Sequence, residues 1–507
     1  MEGKRKRGGK KKTRKKKDAK VRVAAPHSSD ESEDRGVESP GVEFGLAFAS
    51  RHCAVQPLGN LLFTGRQNIR DPGLGSLQRL SDEIVSDILA LLDAKDLARS
   101  GVSSKGFYVF SHQEALWRNL VLAELKGGFL FQGSWRKTYV SARSAWTKEE
   151  DFSSRSACTK KEDFSPVKVE DFYSDYLFQS WLCASVEIKD EWISRDNIER
   201  RSHLSVDDFV RDFERLNKPV LLTDAINNWP ALKRWNQDYL LDLCGDVDFA
   251  AGPADMTLSN YFVYAKSVKE ERPLYLFDPK FGEKVPQLAA DYEVPVYFRE
   301  DLFSILGKER PDYRWLILGP ARSGSSFHID PNSTSAWNAV VKGSKKWILY
   351  PPGAVPPGVH PSPDGVDVAT PVSITEWFMN FYHETKRAKH KPVECVCKAG
   401  EVVFIPNGWW HIVINLEDSI AITQNYVSRS NILNVLDFLN KPNSQDLVSG
   451  TKDRVNLYDK FKSRYEELHP GSLEQLRNEK RAQESQKKRS VWESVTSGGD
   501  FRFNFGS

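Results

Sequence analysis

The chain has 507 residues, 40% of them hydrophobic and 28% charged, with a formal net charge of +3. That length predicts about three domains, and the composition is that of an ordinary soluble protein with material for a sizeable core. No apolar run approaches membrane length, no apolar stretch follows the basic N-terminus as in a secretory signal, and six Cys in this length argue for a reduced compartment rather than a disulfide framework.

In chain order, residues 1–70 read as a disordered tail. MEGKRKRGGKKKTRKKKDAK carries most of the basic excess, and SSDESED at 28–34 is acidic. The basic block reads as a nuclear import signal, with a nonspecific nucleic-acid contact as the alternative. Order is expected from near Leu77. Ser81 is placed to cap a helix opening with Asp82 and Glu83, along which Ile84, Ile88 and Leu91 recur beside Val85, Leu89 and Leu92. A second short helix is expected from Asp96 and a third around Trp117. Residues 75–125 resemble an F-box through Leu77, Leu80, Glu83, Ile84, Ile88, Leu91, Asp96, Leu97, Val102, Lys105 and Trp117. Ser81 stands where that family usually has Pro, and Ser104 where it often has Cys. The resemblance implies docking to a Skp-family adaptor of a cullin ubiquitin ligase.

Residues 126–194 read as a polar linker, in which RSAWTKEEDFS at 143–153 recurs as RSACTKKEDFS at 155–165. From about 195 to 440 the texture becomes short strands: PVLLTD, YRWLILG, SAWNAVV, KKWILYPP, EVVFIP, HIVINL and SIAITQNYV. Punctuated by Gly, Pro and Asn, they suggest a β-sandwich or jelly roll. Residues 441–507 return to helical patterns with a charged end.

Within the β-rich part, SGSSFHIDP puts His328 and Asp330 at i and i+2, on one face of a strand. Alone, that spacing fits either two metal ligands or a polar pair ending a strand. Of the ten His, His27 and His52 lie in the N-terminal tail, His112 and His203 in helical regions, His360, His383 and His390 in a Pro- and charge-rich insertion and His469 in the C-terminal tail, which leaves His411, in GEVVFIPNGWWH. Two His and one carboxylate make a facial triad with three open positions, suited to Fe(II), a bidentate 2-oxo acid and dioxygen. If Gly343-Ser344 is a two-residue turn, Lys342 pairs with Lys345 and Asn338 with Leu349, which turns Asn338, Lys345 and Trp347 to one face. Ser419, Ala421, Thr423 and Asn425 form a further polar stripe. Trp315, Trp409, Trp410 and Tyr275 are candidates to hold a cationic side chain, with core packing the alternative for each.

RWLILGPARSGSSFHIDPNSTSAWNAVVKGSKKW, GEVVFIPNGWWHIVINLEDSIAITQNYV and PLYLFD resemble a Jumonji-C domain, in the subgroup of arginine demethylases and lysyl hydroxylases. With the F-box they are similar to plant histone arginine demethylases. The resemblance implies a multidomain α+β chain whose oxygenase core is an all-β double-stranded β-helix, a cupin-like jelly roll with flanking helices, preceded by a three-helix F-box. It implies Fe(II) held by His328, Asp330 and His411, and 2-oxoglutarate against Lys345, Asn338, Thr423, Ser325 and Tyr275. Strict strand parity selects Ser326 over Ser325, unless Gly324 shifts the backbone. The implied substrate is methylated arginine of histone tails in the nucleus, and the alternative product is hydroxylated lysine.

Overall fold

In the computed structural model, residues 55–150, 167 and 169–497 are described. The basic and acidic blocks and most of the tandem repeat lie outside them. Two sheets are built from β3 (Arg200–Arg201), β4 (Val220–Leu222), β5 (Asp248–Ala251), β6 (Ala254–Thr257), β7 (Leu276–Asp278), β8 (Arg314–Gly319), β9 (Gly324–His328), β10 (Ser335–Lys342), β11 (Ser344–Tyr350), β14 (Val393–Lys398), β15 (Val402–Ile405), β16 (Trp410–Asn415) and β17 (Ser419–Tyr426). They follow a short pair, β1 (Val55–Gln56) and β2 (Phe172–Tyr173), and a second short pair, β12 (His360–Pro361) and β13 (Val368–Ala369), sits in the insertion. The larger sheet has the order β3-β4-β15-β10-β17-β8-β7-β5-β6, and the smaller β14-β11-β16-β9. From β8 to β11 and from β14 to β17, successive strands alternate between the sheets, which is a double-stranded β-helix. Strands buried on both faces, such as β10 and β16, read as near-continuous apolar runs.

This winding overturns the hairpin expected at Gly343-Ser344. β10 pairs with β15 and β17, and β11 with β14 and β16. Asn338 lies opposite Thr423 and Val403, not Leu349, and Lys345 lies opposite Asn415 and Cys397, not Lys342. Both edges of β10 are already saturated, so the chain must cross to the other sheet. Gly343 makes that corner at φ 77°, where an added Cβ would lie 2.5 Å from the Asp418 carbonyl oxygen.

Ser81 caps the helix Asp82–Ala90, and Asp93 caps Ala94–Ser100 by accepting from the Asp96 amide at 2.8 Å, which starts that helix two residues before Asp96. Ser104 caps a further helix, Lys105–Ser111, ahead of the one carrying Trp117 (Glu114–Leu125). Four α-helices, preceded by the short 3-10 helix Gly75–Arg79, therefore stand where three helices were expected. Val85, Leu89, Leu97 and Trp117 are buried, whereas Ile84, Ile88, Leu91 and Val102 face solvent.

Order also begins before Leu77. β1 pairs in parallel with β2, and Arg70 bonds Asp82 at 2.6 Å. A strand of two residues whose partner lies more than a hundred positions away leaves no local periodic signal. The expected linker holds the helices Trp135–Glu150 and Asp175–Ser185. Helices Ile432–Leu439, Leu457–Leu468 and Ser472–Ser497 follow β17. Among the described residues, no helix is long and apolar enough to cross a membrane.

Candidate metal and cosubstrate site

β9 and β16 run antiparallel with His328 opposite His411. One step on, the register shifts, and Val413 lies opposite Ser325 rather than Ser326. β9 thus carries one extra residue, a bulge that reverses its face alternation. Ser325 and His328, three apart, therefore both line one cavity of about 470 Å³, as does Ser326. Asp330 follows where the strand ends.

One ligand atom from each of His328, Asp330 and His411 falls within 4.8 Å of the others. His411 Nε2 lies 3.9 Å from Asp330 Oδ2, and the two imidazole centroids are 4.1 Å apart. Each imidazole Nδ1 faces a carbonyl, Ser326 O at 2.8 Å for His328 and Trp409 O at 3.1 Å for His411. A carbonyl only accepts, so Nδ1 carries the hydrogen and the Nε2 lone pair is left to bind a cation. Burial holds His411 well below the usual imidazole range. Burial raises Asp330, against the pull of His328 and the Asn425 amide. Asp330 Oδ2 is buried without a hydrogen-bond partner among the described residues. Two imidazoles whose Nδ1 atoms are engaged by carbonyls and an orphaned carboxylate oxygen, on one side of a cavity, fit a divalent cation such as Fe(II).

Tyr275, Asn338, Lys345 and Thr423 line the same cavity. Lys345 is fully buried and donates to Asn415 Oδ1 at 2.8 Å and to the Tyr275 hydroxyl at 3.0 Å. Burial pushes its ammonium down to about 7. Asn338 Oδ1 is buried and has no partner among the described residues, and the Thr423 hydroxyl donates to Trp337 O at 2.8 Å. Asn338, Lys345 and Trp347 do converge, but across two sheets rather than on one hairpin face.

Two residues, Asn415 and Phe277, were not singled out from sequence, and a third, Asn425, was noted only as part of the polar stripe of β17. Asn415 holds Lys345 and Ser323 Oγ, and its signal is a polar residue at the end of the apolar strand HIVIN. Asn425 donates to Thr334 Oγ1 at 2.9 Å and to Asp330 Oδ1 at 3.4 Å, and the polar stripe of β17 pointed to it. Phe277 stacks on Trp315 at the cavity, with centroids 5.2 Å apart and planes at 24°. Trp409 and Trp410 are corrected to core residues: neither lines the cavity, and Trp409 Nε1 donates to Asn217 O. The Pro406-Asn407-Gly408 turn sends both rings into packing on either side of β16.

Residues 255–432 match the cupin-like domain, and 78–123 the F-box-like domain. The chain is 59% identical to "Arginine-specific demethylase JMJ22" of Arabidopsis thaliana, over 92% of this chain and 91% of that protein. It is 40% identical to "Bifunctional arginine demethylase and lysyl-hydroxylase psr-1" of Caenorhabditis elegans, over 47% of this chain and 63% of that protein. It is 32% identical to "2-oxoglutarate and iron-dependent oxygenase JMJD4" of Homo sapiens, over 46% and 61%. With these relatives, a double-stranded β-helix and a His–Asp–His cluster at its mouth, the chain belongs to the Jumonji-C family of iron- and 2-oxoglutarate-dependent oxygenases and carries an F-box-like segment before that domain.

Proposed function

We propose that this oxygenase removes N-methyl groups from arginine in histone tails, with His328, Asp330 and His411 as the Fe(II) ligands. Lys345, Asn338, Thr423, Ser325 and Tyr275 hold 2-oxoglutarate. The observation that carries the reading is one cavity lined both by the triad and by a buried lysine that has no carboxylate partner among the described residues. The distal carboxylate of 2-oxoglutarate is the charge that Lys345 lacks, and Tyr275 and Asn415 aim its Nζ. Bound iron supplies the oxidising chemistry: dioxygen and 2-oxoglutarate are converted to succinate and carbon dioxide as one C–H bond becomes C–OH. An N-hydroxymethyl group made in this way breaks its C–N bond, releasing formaldehyde and leaving N–H on the arginine.

Phe277, which is 39% exposed, and Trp315 offer stacked aromatic faces suited to a planar guanidinium. Lysyl hydroxylation is the second reading, because the psr-1 relative is named for both activities. The exposed stripe of Ile84, Ile88, Leu91 and Val102 is the surface offered to a Skp-family adaptor of a cullin ligase. The basic block at the N-terminus directs the chain to the nucleus. Incubating methylated histone-tail peptides with protein, Fe(II), ascorbate and 2-oxoglutarate tests the reading by mass spectrometry. Loss of 14 mass units (about one CH2) from arginine, absent with His328→Ala, is the expected result. A gain of oxygen on lysine instead would transfer the assignment to hydroxylation.

A further inference from the structure

Directly after Asp330 and Pro331, the backbone does something costly. Asn332 and Ser333 are both left-handed, each at φ 57°. Two consecutive non-glycine residues in this region persist only where their surroundings hold them. Pro331 lines the cavity, and its carbonyl accepts from Thr334 Oγ1 at 2.8 Å, so Thr334 pins the loop from within.

The outer hold comes from far along the chain. Asn332 is 3% exposed, and its side-chain amide reads the backbone of Ser449 at both ends. Nδ2 donates to Ser449 O at 3.0 Å, and the Ser449 amide donates to Asn332 Oδ1 at 3.1 Å. Ser449 is itself fixed on both flanks. Val448 is buried among Phe303, Leu306, Val427 and Leu436. Gly450, at φ 75°, accepts from the Asp312 amide at 2.8 Å, just ahead of β8 and the Trp315 face. The segment 448–450 lies beyond the cupin-like match, which ends at 432.

We propose that Asn332 is a positioning residue of the metal site: its two-point bond to Ser449 uses the C-terminal helical segment to hold the left-handed loop that aims the Asp330 carboxylate. This rests on the proposed metal ligands. The C-terminal segment is then part of the apparatus that sets metal affinity, although it supplies no ligand.

The test uses the full-length chain and its Asn332→Ala, Asn332→Gly, Gly450→Ala and Asp330→Ala variants. Mn(II) is titrated in the presence of 2-oxoglutarate and free Mn(II) is read by electron paramagnetic resonance. Visible spectra of the Co(II)-saturated proteins report ligand geometry. Asn332→Ala is expected to weaken Mn(II) binding about 10- to 100-fold and to alter the Co(II) spectrum, with far-ultraviolet circular dichroism unchanged. Asn332→Gly relieves the backbone strain but still cuts the tether, so it too loses affinity. Gly450→Ala perturbs the tether from the far side, where an added Cβ lies 3.1 Å from the Asp312 amide nitrogen, and shows the same direction of change. Should Asn332→Ala fail to fold, the other two carry the test. Wild-type affinity and an unchanged Co(II) spectrum in the folded variants overturn the proposal. No Mn(II) binding by the wild type itself, or none lost in Asp330→Ala, overturns the metal assignment instead.

Discussion

Binding of 2-oxoglutarate should draw a proton into the protein at alkaline pH, because Lys345 waits for its carboxylate partly deprotonated. Burial pushes this ammonium from an ordinary 10.5 down to about 7. At pH 8 about a tenth of the free protein then carries the charge, and an incoming carboxylate restores it, so about 0.9 proton is taken up per molecule bound. At pH 6 the uptake falls to about 0.1 proton. Above pH 7 affinity should drop about tenfold per pH unit, which is about 1.4 kcal/mol, and below pH 7 it should be flat. The sign for the free protein follows from the same shift. Between pH 7 and 10.5 the unfolded chain binds a proton that the folded chain does not, so this lysine makes stability rise with pH across that window. Titration calorimetry on the Mn(II)-loaded protein, in buffers of different ionisation enthalpy, measures the uptake directly. A pH-independent affinity from 6 to 9 with no proton uptake would refute the reasoning. So would Lys345→Met binding 2-oxoglutarate as well as wild type, since cutting one partner from a buried charge pair costs about 2–5 kcal/mol.

Asp330→Ala should abolish Mn(II) binding while raising the melting temperature of the metal-free protein, because it removes a buried, unpartnered carboxylate oxygen; calorimetric melts of both proteins decide. Gly324→Ala should destabilise the fold by about 2–4 kcal/mol in urea titrations, since its Cβ would lie 2.0 Å from Val413 O beside the β9 bulge. Trp315→Ala should raise KM for a methylarginine peptide about tenfold, matching a cation–π loss of about 1–2 kcal/mol, with the Kd for 2-oxoglutarate unchanged. Leu91→Asp, at a side chain 86% exposed, should abolish capture of a Skp-family adaptor while leaving peptide turnover intact.

What the sequence carried on its own was chemistry tied to short spacings. HID, with His411 the one further His left outside the helical regions, the insertion and the tails, named three residues that the fold gathers at one point. Polar residues facing inward from apolar strands named Asn338, Lys345 and Thr423, because an inward Lys in a β core needs a ligand or a partner. Cap residues were legible too, since an N-cap bond spans only three positions, as at Ser81. Only tertiary structure decided which strand each of these would pair with. The run from Asn338 to Trp347 is the same for a hairpin as for a sheet-to-sheet crossing. The choice belongs to β14, β15, β16 and β17, which occupy both edges of β10 and β11 from more than forty residues away. Strand parity favoured Ser326, and a bulge set by the pairing of β9 with β16 brought in Ser325. Ile84, Ile88 and Leu91 have the spacing of a buried helix face, yet they lie outside because Val85 and Leu89 take the core. The Asn332–Ser449 bond spans 117 positions. A local pattern records what a side chain can do, and long-range pairing decides what it meets.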